Sequence, residues 1–143
     1  MPIGLLNLFF HTTAAQVKRW IQVLPVCMAQ CGGRTYYYIE NGNAYDGGMP
    51  KCVFLAGFDP LLLGHEKKES LYLEPIYLRR VFNLAGMVMP CVLLSGRVVG
   101  RWKKKGKRLS MECFESLSQS DIREITDKAQ TLWPDIDKID FGE

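Results

Sequence analysis

The chain has 143 residues, of which 48% are hydrophobic and 23% charged, with a formal net charge of +3. This balance is typical of a soluble, globular protein. No apolar run approaches the roughly 18 residues of a membrane-spanning helix. The apolar residues 1–10 lack the cationic flank and small-residue cleavage site of a secretory signal. The sequence therefore argues against a membrane span and against secretion, and we expect a cytoplasmic protein.

Charge is distributed unevenly along the sequence. Residues 1–78 carry six basic and six acidic side chains, and residues 112–143 carry nine acidic against three basic ones. Residues 79–111, called the basic block below, carry nine cations and no acid. A dense basic segment is typical of a surface that meets polyanions such as DNA or RNA. The alternative is a solvated hairpin that pairs with the acidic end of the chain.

No catalytic or metal-binding motif is visible. The chain has no phosphate-binding loop, no H-E-x-x-H and no G-x-S-x-G. Its five cysteines form no C-x-x-C pair, and Cys27 and Cys31 with His11 or His65 would supply only half of a zinc site. Asp59, in G-F-D-P, is interpreted as a turn-forming residue rather than as a catalytic or DNA-positioning carboxylate. We therefore predict no metal and no cofactor.

A helix and a β-hairpin are the first predicted elements. The helix follows Thr13 and ends before Pro25. Its apolar stripe has the spacing i, i+3, i+4 and i+7 and consists of Val17, Trp20, Ile21 and Leu24. Its solvent face carries Gln16, Lys18, Arg19 and Gln22. A Gly-Gly turn then joins two extended runs, which is the signal of a tight ribbon. Helix and ribbon together form the second half of a winged helix, and the turn-rich residues 42–50 predict a linker.

The rest of the chain predicts a small sheet and a last helix. In chain order the predicted elements are a buried strand at 51–56, two helical turns at 74–82, a three-stranded meander over 87–94, 97–103 and 108–114, a helix from 118 and a closing strand at 136–141. Alternation places Val98 on one face of the meander and Arg97, Val99 and Arg101 on the other, unless Gly100 marks a bulge. We expect the strands to close into a strongly curved sheet or partial barrel.

Four stretches in a specific order carry a family resemblance. They are G-R-T-Y-Y-Y at 33–38, F-L-A-G-F-D-P-L-L-L-G at 54–64, N-L-A-G-M-V-M-P at 83–90 and V-L-L-S-G-R-V-V-G-R-W-K at 92–103. Together they resemble the winged-helix DNA-binding family of AlkZ-like, or YcaQ-type, bacterial DNA glycosylases. The resemblance covers the chain from about Thr12 but only the C-terminal part of the family's length, and residues 1–10 do not match.

The resemblance implies a fold and a domain organisation. It implies tandem winged helices followed by a C-terminal β-barrel. In the family these domains surround a basic concave surface that holds duplex DNA. For this chain it implies an α+β fold, with a partial winged helix over residues 1–48 and a small antiparallel β-barrel-like domain with a C-terminal helix over residues 49–143. We expect a fragment or a truncated gene product.

The resemblance also bears on activity. In the glycosylase members, cleavage of alkylated or crosslinked bases depends on a Gln-Φ-Gln or Gln-Φ-Asp motif near the beginning of the full protein. The nearest string here, Gln119-Ser120-Asp121, has serine at the apolar position and opens the last helix, so that role is not carried over. We expect a DNA-binding module for repair that does not cleave bases alone and has no catalytic residue of its own. An intact glycosylase that uses Asp59 is a third reading.

The predicted partner is double-stranded DNA, with the missing winged-helix region or another protein chain as a further partner. The residues predicted to bind phosphate are Arg97, Arg101, Lys103, Lys104, Lys105, Lys107 and Arg108, and those of a second, weaker contact are Gln16, Lys18 and Arg19. Trp102 either stacks on an exposed base or belongs to the core. The alternative function is a protein-interaction or dimerisation fragment, in which the basic block docks on the acidic tail of another copy.

Overall fold

A computed structural model describes residues 12–31, 33–40, 48–64 and 70–142. They form a two-stranded hairpin, a five-stranded sheet and several helices, so the predicted mixed α+β class is confirmed. In chain order the elements are α1 (Ala14–Val23), β1 (Val26–Cys31), β2 (Arg34–Ile39), β3 (Cys52–Leu55), α2 (Pro60–Leu63), a 3-10 turn (Pro75–Tyr77), α3 (Leu78–Val81), β4 (Cys91–Leu94), β5 (Arg97–Lys105), β6 (Arg108–Cys113), α4 (Gln119–Leu132) and β7 (Lys138–Gly142).

Helix α1 begins with a capping box. The Gln16 amide N–H donates to Thr13 Oγ1 at 3.3 Å, and the Thr13 N–H donates to Gln16 Oε1 at 2.9 Å. Strands β1 and β2 pair antiparallel with Cys31 opposite Arg34, which leaves a two-residue loop. Gly33 in that loop has φ of +74°, a conformation that tight hairpin turns require. The predicted helix and hairpin are therefore confirmed. Much of the predicted linker, together with Gly32, His11 and His65, lies outside the described residues.

The five-stranded sheet has the order β3-β4-β5-β6-β7. The predicted meander is confirmed as β4, β5 and β6, and Ser95 and Gly96 join β4 to β5 with φ of +48° and +82°, as in a type I′ turn. Strand β7 pairs with β6 in parallel, because α4 carries the chain back to the beginning of β6, where Lys138 lies opposite Arg108. Among the described residues the sheet does not close into a barrel, since β3 and β7 are its two edges, and the strongly curved sheet or partial barrel stays a prediction.

A β-bulge in β5 changes the predicted faces of this strand. Val92 pairs with Gly100 and Leu93 with Val98, so Val99 is the extra residue. Added to Gly100, a Cβ atom would lie 2.6 Å from the Glu112 carbonyl oxygen, and only glycine permits this approach. The bulge directs Val98 and Val99 into different apolar clusters and separates Val99 from Arg101.

Apolar clusters cover both faces of the sheet. One contains Leu93 and Val98 together with Leu62 of α2 and Val81 of α3. The other contains Val92, Val99, Cys52, Met111 and Ile125 of α4. Because helices and loops already bury both faces of the sheet where these clusters lie, the strands gain no burial by curling into a barrel. Within the described ranges, no helix has the length and apolar character needed to span a bilayer.

Candidate nucleic-acid interface

One face of the sheet is polar and solvent-exposed at its β6–β7 side. In β6, Leu109 and Met111 are buried, while Arg108 and Ser110 are exposed. Because side chains alternate along a strand and residues directly opposite each other share a face, the pairing extends this surface to β5 and β7. The surface, called the open face below, consists of Arg101, Lys103, Lys105, Arg108, Ser110, Glu112, Lys138 and Asp140. It carries five cations and two carboxylates.

Acidic side chains of the same chain neutralise part of the basic block. Arg80 and Arg101 contact Glu112 at 2.7 and 2.6 Å, and Arg97 contacts Glu115 at 2.7 Å. Longer pairs join Arg97 to Glu74, Lys104 to Asp135 and Arg108 to Asp140, at 3.8, 3.7 and 3.5 Å. Five of the nine cations of the basic block therefore have an acidic partner. Except for Glu74, these acidic partners come from residues 112–143. The alternative of internal pairing is thus correct for these five residues.

The pairs around Glu112 form a structural network. Arg80 also donates to the Cys113 carbonyl at 3.2 Å and lies 4.5 Å from the ring centroid of Phe114, and Arg101 donates to the Arg80 carbonyl at 3.2 Å. Burial raises the pKa of Glu112, but the hydrogen bonds from Arg80 and Arg101 outweigh it and lower the pKa below its ordinary value of 4.5. This network joins α3 to β5 and β6.

Four cations of the basic block have no acidic partner among the described residues. Three of them, Lys103, Lys105 and Lys107, are exposed at the end of the β5–β6 hairpin, and the fourth, Arg79, is exposed on α3. Lys104 points to the opposite side of β5 and donates to the Gly106 carbonyl at 2.8 Å. The hairpin therefore presents three lysines whose charge the described side chains leave uncompensated.

The predicted contact on α1 separates into two kinds of residue. Lys18 and Arg19 are exposed. Gln16 Oε1 accepts hydrogen bonds from Thr12 and Thr13, so its side chain stabilises the start of the helix. Of the three residues, Lys18 and Arg19 are therefore the two whose side chains are available to a ligand.

Trp102 belongs to the core rather than to the exposed surface. Its Nε1 donates to the Leu55 carbonyl at 3.0 Å, and its ring packs against Phe54 and Trp133 at centroid distances of 5.8 and 5.1 Å. Asp59 likewise has a structural role, because its Oδ1 caps α2 by accepting from the Leu61 N–H at 2.9 Å. The interpretation of Asp59 as a turn-forming residue agrees with this contact.

Lys138 and Ser110 belong to the open face, although neither was among the residues predicted to bind phosphate. A sequence signal existed, because Lys138 and Asp140 alternate with Ile139 and Phe141, as Arg108 and Ser110 do with buried residues of β6. What the sequence lacked was the parallel pairing that brings Lys138 opposite Arg108 and Asp140 opposite Ser110.

The cysteines offer no reactive group at the open face. None of the five, all of which lie in the described ranges, is part of a disulfide bond. Burial raises the pKa of Cys52 to about 11 and that of Cys91 to about 12, so both stay protonated near neutral pH. Across the described ranges, no three His, Cys, Asp or Glu side chains converge as metal ligands would.

Comparisons with known proteins identify the family. The family model of AlkZ-like DNA glycosylases matches residues 4–133, so the expectation that residues 1–10 do not match is wrong for residues 4–10. An interstrand DNA cross-link repair glycosylase of Streptomyces sahachiroi is 32% identical over 75 residues, which are 52% of this chain and 20% of that protein. The S. sahachiroi DNA glycosylase AlkZ shares the fold, with a TM-score of 0.68 at 22% identity over 91% of this chain and 37% of that one. This chain therefore spans well under half the length of either relative, and it belongs to the AlkZ-like DNA glycosylase family.

Proposed function

We propose that the chain is a DNA-binding module that contacts the backbone of duplex DNA and does not cleave bases by itself. The observation that carries the proposal is the set of three exposed lysines, Lys103, Lys105 and Lys107, on one hairpin without acidic partners among the described residues. Exposed lysines bind phosphates as point charges and release counterions on binding. The chain belongs to the AlkZ-like DNA glycosylase family, and its 32% identical relative is an interstrand DNA cross-link repair glycosylase, which supports DNA as the polyanion.

The contacts predicted from the sequence contribute unequally under this proposal. Lys103, Lys105 and Lys107 contact phosphate directly, and Arg108 joins them because its pair with Asp140 is long and exposed. Arg97, Arg101 and Lys104 shape the surface through their internal contacts. Under the same proposal, α1 and the β1–β2 ribbon act as half of a winged helix, and Lys18 and Arg19 supply the weaker second contact.

Replacing the three hairpin lysines together tests the proposal. We expect Lys103→Ala, Lys105→Ala and Lys107→Ala in one variant to weaken binding to a duplex about 10- to 100-fold at low salt, without changing sequence preference. The slope of log affinity against log salt should become shallower by about 0.9 for each phosphate that the variant no longer neutralises. Fluorescence anisotropy of a labelled duplex, titrated at several salt concentrations, measures both quantities.

A matched variant separates this effect from a general loss of charge. The control variant removes the same number of cations, by Lys51→Ala, Arg123→Ala and Lys128→Ala. Arg123 and Lys128 lie on α4, which packs on the face of the sheet opposite the open face. Lys51 Nζ lies 3.9 Å from Glu124 Oε2 of the same helix. This control should retain most of the affinity. An unchanged affinity in the hairpin variant, or an equal loss in both variants, would overturn the proposal. Neither protein should release bases from an alkylated duplex.

A further inference from the structure

Two cations of the open face share one carboxylate. Lys138 Nζ lies 2.7 Å from Asp140 Oδ1, and Arg108 Nε lies 3.5 Å from Asp140 Oδ2. The side chains of Arg108, Lys138 and Asp140 are 60%, 54% and 40% exposed. One negative charge thus balances two cations at a place that a ligand can reach from solvent.

The surroundings of this pair suit a phosphodiester group. Ser110 is exposed and lies opposite Asp140 on β7 and opposite Lys103 on β5. Hydroxyl groups beside lysine and arginine are common donors to the phosphates of DNA. A phosphodiester and a carboxylate each present one negative charge on two oxygens, so they compete for the same donors.

We infer that Arg108, Ser110 and Lys138 form a further phosphate-binding site for the DNA backbone, and that Asp140 occupies this site until a phosphate displaces it. The inference rests on the DNA binding proposed above and extends it. The contact surface then continues from the β5–β6 hairpin across β6 to β7. Asp140 lowers the affinity of the surface, because every phosphate bound there must replace a carboxylate that is already paired.

Substitutions at Asp140 and Lys138 should change DNA affinity in opposite directions. We expect Asp140→Asn to bind a duplex about fivefold more tightly at low salt, since one competing charge is removed near two cations. Its salt slope should stay close to that of the wild type, because one phosphate occupies the site in both complexes. Lys138→Gln should bind about threefold more weakly, with a shallower slope. Anisotropy titrations of the full chain with a labelled duplex give each value.

Each variant has a control of equal charge. Asp137→Asn neutralises an exposed carboxylate of the same segment, whose side chain has no ion pair within the described ranges, and it reports the effect of net charge alone. Arg123→Gln does the same for Lys138→Gln from the opposite side of the sheet. Thermal unfolding of every variant tests whether it is folded. If Asp140→Asn is unfolded, the comparison of Lys138→Gln with Arg123→Gln still tests the site.

The outcomes distinguish this inference from the function on which it rests. If Asp140→Asn binds no more tightly than Asp137→Asn, and Lys138→Gln no more weakly than Arg123→Gln, the site is refuted while binding through the hairpin lysines stands. If neither the wild type nor Asp140→Asn binds a duplex at low salt, both proposals fall. Tighter binding by Asp140→Asn alone, abolished again on adding Lys138→Gln, supports the site.

Discussion

Glu112 illustrates how single residues divide the basic block into a part with internal contacts and a part without described acidic partners. Its carboxylate accepts hydrogen bonds from Arg80 and Arg101, each at least one third exposed, and the three side chains together keep a charge of +1. Without Glu112, the two guanidinium groups would face each other unpaired across α3 and β5. The residue therefore has a structural role, because it links α3 to β5 through the two arginines.

The depressed pKa of Glu112 predicts a pH-dependent contribution to stability. A carboxyl group whose pKa is lower in the folded than in the unfolded state stabilises the fold fully above its unfolded value, and this contribution is lost as the pH falls through the folded value. We expect Glu112→Gln to lower the free energy of unfolding by about 1–2 kcal/mol at pH 7. The difference from wild type should shrink well below pH 4.5, the ordinary value of this group.

Urea unfolding at pH 7, 5 and 3 measures this prediction. Glu115→Gln is the matched control, since Glu115 is an exposed residue whose described contact is with Arg97 alone. It should cost less than about 1 kcal/mol at any of these pH values. A loss of stability in Glu112→Gln that is as large at pH 3 as at pH 7 would show that the network acts through packing rather than through charge.

Among the elements, β5 owes its shape to the bulge at Val99 and to the glycine beside it. A Cβ atom on Gly100 would lie 2.6 Å from the Glu112 carbonyl oxygen and 3.3 Å from Cys113 Cα, so the backbones of β5 and β6 would have to separate. We expect Gly100→Ala to lower the free energy of unfolding by about 2–4 kcal/mol.

Gly48 provides the control for Gly100, because nothing lies within 4 Å of the position of its Cβ. Gly48→Ala should change stability by less than about 0.5 kcal/mol. Denaturant unfolding of the two variants makes the comparison. Equal stabilities would mean that β5 and β6 separate at little cost, and that the bulge does not depend on glycine.

Local signals explain which elements could be predicted from the sequence. The two-residue turn between the predicted strands 87–94 and 97–103, at Ser95 and Gly96, and the start of α1 after Thr13 each depend on a few neighbouring residues, and both were predicted correctly. Helix α2 was missed, because it has only four residues and a periodic pattern needs a longer window. The parallel pairing of β7 was missed because no local feature of a strand specifies its partner.

The candidate interface shows the same limit at the level of side chains. Its cations are visible in the sequence, but their partners are not, since Arg80 and Glu112 are 32 positions apart and Arg97 and Glu115 are 18 apart. The pairing register of β5 with β6 places Lys103 and Lys105 on the open face and Lys104 on the face that α4 covers. The run of three lysines in the sequence does not show this difference. Charge density thus located the surface, whereas the selection of available residues required the fold.

For the molecule as a whole, part of the basic block is paired with part of the acidic end of the same chain. Glu112, Glu115, Asp135 and Asp140 all pair with cations of their own chain. They are four of the nine acids of residues 112–143, the segment that would bind the basic block of a second copy in the alternative function. Internal pairing leaves them less available for that exchange, while the hairpin lysines remain free of described acidic partners.

Sedimentation velocity with and without a duplex distinguishes the two functions. We expect the sedimentation coefficient of the free protein to stay constant from low salt to about 0.5 M, because ion pairs within one chain do not hold copies together. Added duplex should give a faster-sedimenting complex that dissociates over the same range of salt, since counterion release weakens phosphate contacts. Dimers that dissociate with salt and do not respond to DNA would instead favour exchange of the acidic tail between copies. The hairpin variant lacking Lys103, Lys105 and Lys107 should behave like the wild type when free and form much less of the complex at the same concentrations, which ties the DNA-dependent change to the uncompensated lysines.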